Sequence, residues 1–306
     1  MMKNQKILYM GLILLVTFFW GITFPLIKFA LEYISPVVFL ALRFSVSALM
    51  LVPFIFKSGK LVDRRMARIG MTAGVFLFLG YYFQTVGLDY TTAANSGIIT
   101  GIYVVILPFI SYAYLKLKVS RLDVVASAIA FAGLFIMSAS SLAIRSSTVE
   151  LGDILTVICG VAYALQIAYV SKYSGGLDST VFTFYQILTV AILSTVFIPT
   201  YSTSLFTIND LVVFVIVFTA LFGGVLAYFI TTKALIYVEP TSAGIIFVGE
   251  PIFAAISAVF IGGEVLGPLT ILGGSVMVFA MFLTSMDKYI SHRRELRSAR
   301  RFPGGH

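Results

Sequence analysis

The sequence predicts an all-α integral membrane protein, with ten transmembrane helices arranged as two inverted five-helix repeats. Three observations carry that expectation. Of 306 residues, 59% are hydrophobic and only 11% charged, with mean hydropathy +1.02; a soluble protein carries roughly 25% charged residues. The apolar runs are long and continuous, as helices require, where barrel strands would alternate over ~10 residues. The chain also echoes itself about 140 to 150 residues on: Gly97-Ile98-Ile99 precedes Pro108 as Gly244-Ile245-Ile246 precedes Pro251, and FFWGITFPLIK is answered by VICGVAYALQI. Five helices per half is an odd number, so the second half enters the membrane from the opposite face.

The elements follow in order. The first span, 7–29, stands behind MMKNQK. Its uncharged run 7–27 exceeds a usual signal-peptide core and no clear A-x-A site follows, so it reads as a retained helix. Spans 36–56 and 69–88 flank a basic cluster, and only Gly87, Asp89 and Tyr90 mark the turn before 92–115. A fifth span covers 124–143. After the polar segment 146–150 come 154–171, 181–199, 211–232, 241–262 and 268–286. The domain reading is 1–145 for the first repeat, 146–287 for the second and 288–306 for a basic tail.

Charge supports the count. With ten helices, 18 of the 21 basic residues fall on one side, the exceptions being Lys28, Arg43 and Arg145. An error of one helix would scramble that segregation. By the positive-inside rule both termini are cytoplasmic and the cell membrane is the expected location. The net charge of +8 is explained the same way. The tail KYISHRRELRSARR has no aromatic stacking pattern and reads as an orientation-setting segment near anionic headgroups, with no nucleic-acid partner.

Several functions are disfavoured. Cys159 is the single cysteine and His292 and His306 lie in the tail, so no metal site and no cofactor is expected. No Walker A sequence is present. An intramembrane enzyme needs a nucleophile with a base or a metal, yet no span contains histidine and no span interior contains aspartate.

The chemistry gathers elsewhere. Glu250 is the tenth residue of the run 241–262, which at ~1.5 Å per residue places it roughly 14 Å from one end, near the middle of a ~30 Å hydrocarbon core. A carboxylate there faces protein or a water-filled cavity. It reads as a proton-accepting coupling group, with a structural glutamate beside Pro251 as the alternative. Arg43, roughly 10 Å into the second span, reads as an anion clamp or partner of Glu250, or else as a side chain snorkelling to the outer surface. Lys28 reads as a partner for Glu32 or a snorkelling lysine. Gln84, Asn95 and Gln166 are candidates to line a cavity or to join helices. Tyr103, Tyr163 and Tyr185 suit an amphipathic wall or an interfacial belt. Trp20 lies deeper than a belt residue should. Pro25, Pro108 and Pro251 are hinge candidates, being well inside apolar runs.

These residues sit within longer matching stretches. WGITFPLIK (20–28), ALRFSVSALML around Arg43, YTTAANSGIITGIYVVILP (90–108), LFGGVLAYFITTKAL (221–235) and GEPIFAAISAVFIGGE (249–264) resemble the drug/metabolite transporter superfamily, specifically EamA-like permeases. The resemblance covers nearly the whole chain except the tail. It implies a ten-helix secondary carrier of two inverted repeats moving small metabolites, such as amino acids or related amphipathic compounds. Export, with proton coupling through Glu250, is the preferred version. A multidrug or toxic-compound efflux carrier is the alternative, ahead of a channel or a membrane sensor. The expected partners are a small-molecule substrate, the lipid bilayer and protons, with a homodimer left open.

Overall fold

The computed structural model describes residues 2–58, 63–116, 119–143, 147–173, 175–201, 205–238, 243 and 246–283. The basic tail lies outside them. The described residues form helices and no strand, with one isolated bridge joining Ile34 and Phe206. α1 is Met2–Leu31, α2 Pro36–Ser58 and α3 Arg64–Tyr90. α4 is Ala93–Thr100, α5 Tyr103–Leu115 and α6 Arg121–Ala143. α7 is Ser147–Tyr173 and α8 Ser179–Phe197. α9 (Asp210–Phe218) passes through a π-helical segment, Thr219–Leu226, into α10, Ala227–Tyr237. α11 is Gly249–Phe260 and α12 is Pro268–Leu283. Among the described residues, seven helical stretches are long and apolar enough to cross a membrane, and α11 and α12 are shorter apolar helices.

Most helices extend past the expected runs because polar residues cap them. Asp63 accepts from the backbone N–H groups of Arg65 and Met66 at 2.8 and 3.1 Å, and Asp178 serves α8 in the same way. Asn209 accepts from Val212 at 2.9 Å to open α9. Each satisfies donors the first turn leaves unpaired.

Two expected spans differ. The run 92–115 is two helices, and the break falls at Gly101 and Ile102 rather than at Pro108, which sits inside α5. Tight bonds from Ile102 N–H to the Ile99 carbonyl and from Val104 N–H to the Gly101 carbonyl, both 3.0 Å, mark the break. The reason is a helix crossing. A Cβ on Gly97 would collide with the Ala254 side chain, and one on Gly101 would lie 3.0 Å from Pro251 Cγ. The run 241–262 is likewise not one unbroken helix. Val248 is a turn and α11 starts at Gly249, so Pro251 occupies a first turn, where its missing N–H costs no bond. Pro25 does not interrupt α1, which continues to Leu31.

Packing between the two parts of the chain is reciprocal. α3 packs on α7 and α8, while α1 packs on α10 and α2 on the π-helical segment; α4 crosses α11, and α2 lies against α8. With α1, α2 and α3 set opposite α7, α8 and α9–α10, the contacts among these elements have mirror partners or are their own mirrors, the pattern of an isologous interface.

The connectors gather at two ends. At one, Glu264 accepts from the Ala93 and Ala94 N–H groups at 2.6 and 3.0 Å, supplying charge at the start of α4. There Thr91 donates to Asp153 at 2.7 Å, Tyr201 to Asp89 at 2.9 Å, and the Thr207 N–H to the Tyr33 carbonyl at 2.8 Å. Lys28 belongs to this end: its Nζ donates to the Leu88 and Asp89 carbonyls at 2.7 and 3.0 Å. It caps α3 instead of pairing with Glu32 or reaching the surface, because the last carbonyls of a helix are strong acceptors for a nearby cation. At the other end Tyr9 stacks on Tyr237 at 4.8 Å and Lys172 lies 4.1 Å over the Tyr114 ring.

Candidate functional site

A cavity lies where α1, α3, α5, α7, α10 and α11 converge. Among the described residues Glu250 is the one charged group in its wall, and it is 5% exposed. α11 begins one residue before it, so the carboxylate leaves the first turn toward α5, where the Tyr103 hydroxyl donates to Oε2 at 3.0 Å. The two residues stand 147 positions apart.

A second pair at that offset faces it. The Tyr228 hydroxyl donates to the Tyr81 hydroxyl at 3.0 Å, again across 147 positions, and Tyr81 donates onward to the Gly223 carbonyl at 3.4 Å. Trp20 Nε1 donates to the same carbonyl at 3.1 Å. Gly223 lies in the π-helical segment, whose wider turn offers its carbonyl sideways. Tyr163 donates to Gln84 Oε1 at 3.0 Å, and Gln84 Nε2 donates to Thr100 at 3.2 Å. Gln166 Nε2 donates to Gln186 Oε1 at 2.8 Å.

The rings repeat the correspondence. Trp20 lies 5.7 Å from the Tyr228 ring and 6.2 Å from that of Phe247; Tyr163 lies 5.6 Å from Tyr81 and 6.4 Å from Tyr103. One aromatic from each of α1 and α7 therefore sits between a tyrosine of the facing helix and a ring near the helix break.

Of the sequence candidates, Trp20, Gln84, Tyr103, Tyr163, Gln166 and Glu250 meet in this wall. Asn95, Tyr185 and Arg43 do not line it. Asn95 is buried on α4, where its N–H donates to Thr92 Oγ1 at 3.0 Å. Tyr185 is buried on α8, and its Cβ lies 2.7 Å from where one on Gly70 of α3 would stand. Arg43 forms no ion pair with Glu250 and does not snorkel. It is 1% exposed, with its guanidinium carbon 4.8 Å from the Tyr81 centroid and 5.1 Å from that of Phe44. It stands behind the wall, against Gly223.

Wall residues that sequence reasoning left out of the site include Thr23, Tyr228, Thr231 and Phe247. Tyr228 had an available signal. It is Tyr81 shifted by the internal repeat, and a repeat offset applied to every polar span residue finds it.

Comparison with known proteins places this geometry. The profile of the EamA-like transporter family matches residues 7–139 and again residues 150–286. The chain belongs to the EamA-like transporter family. An uncharacterized transporter from Archaeoglobus fulgidus is 35% identical over 285 residues, covering 93% of this chain and 88% of its own length. The uncharacterized transporter YvbV from Bacillus subtilis is 28% identical over 164 residues, 52% of each chain. A solved crystal structure superposes with a TM-score of 0.66 at 12% identity, over 90% of this chain and 96% of its own, and so shares the fold. This EamA-like protein is a multi-pass membrane transporter. The two profile matches start 143 residues apart (7 and 150) and end 147 apart (139 and 286).

Proposed function

We propose that this EamA-like protein is a secondary carrier that exports small amphipathic metabolites, amino acids and related compounds among them, with protons coupled through Glu250. The observation that carries it is the lone carboxylate in the wall of a cavity formed jointly by both halves of the chain. A site at the interface of repeats can be closed from either side by rocking one against the other.

The architecture proposed is ten spans in two inverted repeats, 1–145 and 146–287, with both termini in the cytoplasm. The doubled family match, the reciprocal helix contacts and the equivalent ring pairs support the repeat. The grouping of connectors supports the topology: the Tyr33, Asp89, Tyr201 and Glu264 segments meet at one end, whereas Lys172 with Tyr114, and Tyr9 with Tyr237, meet at the other. The basic residues favour that second end as cytoplasmic. Export is the direction the family resemblance suggests.

Glu250 suits coupling because it is shielded from bulk water and, among the described residues, accepts a bond through Oε2 from the Tyr103 phenol. The other ionisable groups in the wall are the tyrosines 81, 103, 163 and 228. Reconstituted into proteoliposomes and screened against amino acids, nucleosides and cationic dyes, the protein is expected to accumulate at least one class when a pH gradient is imposed. Glu250→Gln should abolish gradient-driven accumulation while the protein remains folded by size exclusion and circular dichroism. Gradient-driven flux unchanged in Glu250→Gln sinks the coupling role, and absence of flux for every class sinks the carrier.

A further inference from the structure

We infer that Arg43 is an anion site set behind the cavity wall, and that it takes the carboxylate of a small amphipathic solute when Tyr81 swings aside. This deepens the carrier reading and rests on it for the cavity's role.

The inference starts from a charge whose bonding is unmet. Arg43 is 1% exposed, yet none of Nε, Nη1 and Nη2 has a hydrogen-bond partner among the described residues. A guanidinium carries five N–H donors and keeps its proton at any pH a cell meets. It cannot relieve its burial by becoming neutral. The Phe44 and Tyr81 rings lie 5.1 and 4.8 Å from its carbon. A ring face attracts the charge, but weakly beside the cost of taking an ion out of water. Buried charges are otherwise paired. The carboxylate in the cavity wall, Glu250, accepts from Tyr103 on α5 and leaves the Arg43 donors unbonded.

Packing holds the guanidinium ready. Ser47, one turn on along α2, donates to the Arg43 and Ala220 carbonyls, each at 3.0 Å, and pins that turn to the π-helical segment. Gly223 stands opposite. A Cβ there would lie 2.8 Å from Nη2 and 3.2 Å from Thr23 Cγ2, so the place where the tip of the fork meets the wall holds no side chain. The planar fork of arginine matches the two oxygens of a carboxylate.

Little separates the fork from the cavity. Tyr81 and Thr23 both line the cavity, and both lie against Arg43 on that side. Tyr81 is lightly fastened: its bond to the Gly223 carbonyl is 3.4 Å long, beyond the usual range for a hydroxyl donor. Rotation of this one side chain uncovers the guanidinium without moving a helix. One turn beyond Tyr228, the wall also keeps the Thr231 hydroxyl, buried and without a hydrogen-bond partner among the described residues. It can meet a second polar group of the solute.

Trp20, the chain's single tryptophan, shares the Gly223 carbonyl with Tyr81 and so reports on this site by fluorescence in the purified full-length protein. Two probes of one carbon skeleton are titrated at neutral pH: 4-methylpentanoate and 4-methylpentanamide. The carboxylate is expected to give a saturable change with affinity about tenfold or more above the amide. Arg43→Gln should erase that preference, and Arg43→Lys, which keeps the charge but not the fork, should retain part of it. Tyr81→Phe, which frees the ring from both hydroxyl bonds, should raise carboxylate affinity about threefold. Equal affinity for the two probes, tighter binding of the amide, or no saturable response to the carboxylate overturns the inference. So does a preference left intact in a folded Arg43→Gln protein. The probe comparison is made in the unaltered protein and decides the matter even if a variant fails to fold. Preference for the carboxylate without flux in proteoliposomes would sink the carrier and leave this inference standing; flux without that preference would do the reverse.

Discussion

Two helix breaks face each other across the cavity, and they match in geometry but not in chemistry. In the first, α4 ends at Thr100 and Tyr103 opens α5; in the second, Val248 forms a turn and Glu250 follows in α11. The residue just past each break reaches the same wall, and the two meet in one hydrogen bond. The acid belongs to one break and the phenol to the other, and that side-chain difference gives the cavity a polarity.

The sharpest way to break this comparison is to exchange the pair. Glu250→Tyr alone should reduce gradient-driven transport by on the order of a hundredfold, the scale of losing one proton-transfer group. Combining it with Tyr103→Glu should recover transport to within about tenfold of the original, because the hydrogen-bonded pair is rebuilt in reverse. No recovery in a double variant that folds would mean that the two breaks are not interchangeable. A smaller effect is expected where the breaks cross. Gly97→Val forces a side chain into Ala254 and should cost about 1–3 kcal/mol, read as a lower thermal midpoint in detergent. Gly11→Val, on α1 with no neighbouring atom within 4 Å, should change it little. The smallest effect separates the paired tyrosines. Tyr81→Phe removes a donor to Gly223 and leaves the Tyr228 hydroxyl without its acceptor, while Tyr228→Phe removes only a donation. Each should cost about 0.5–1.5 kcal/mol, with Tyr81→Phe the larger; equal midpoints would indicate that the hydroxyl chain adds nothing.

Much of this was readable from residues alone. Glu250 was recognisable because a carboxylate in a long apolar run needs a reason to be there, and Trp20 because it is too deep for a belt. Arg43, Asn95 and Tyr185 show the limit. A soluble helix reveals its inner face by alternating polar and apolar residues, but in these spans nearly every face is apolar. Depth can then be counted along the chain while direction cannot. Arg43 was correctly deep, yet its side chain stacks behind the wall instead of reaching into it. The breaks escaped for a related reason. Proline announces a missing donor, so Pro108 drew attention, whereas the chain turns at Gly101 and Ile102 because another helix must pass closely there. That requirement is three-dimensional and leaves only a glycine behind.

The π-helical turn at Gly223 has one more consequence. Its carbonyl holds both the indole of Trp20 and the phenol of Tyr81, and a main-chain oxygen is present whatever residue occupies the position. The chamber's rings are moored to something that substitution does not erase. Selectivity can therefore drift, ring by ring, on an unchanged foundation, whereas deleting a single residue from Thr219–Leu226 would rewind the helix and cast both rings loose together.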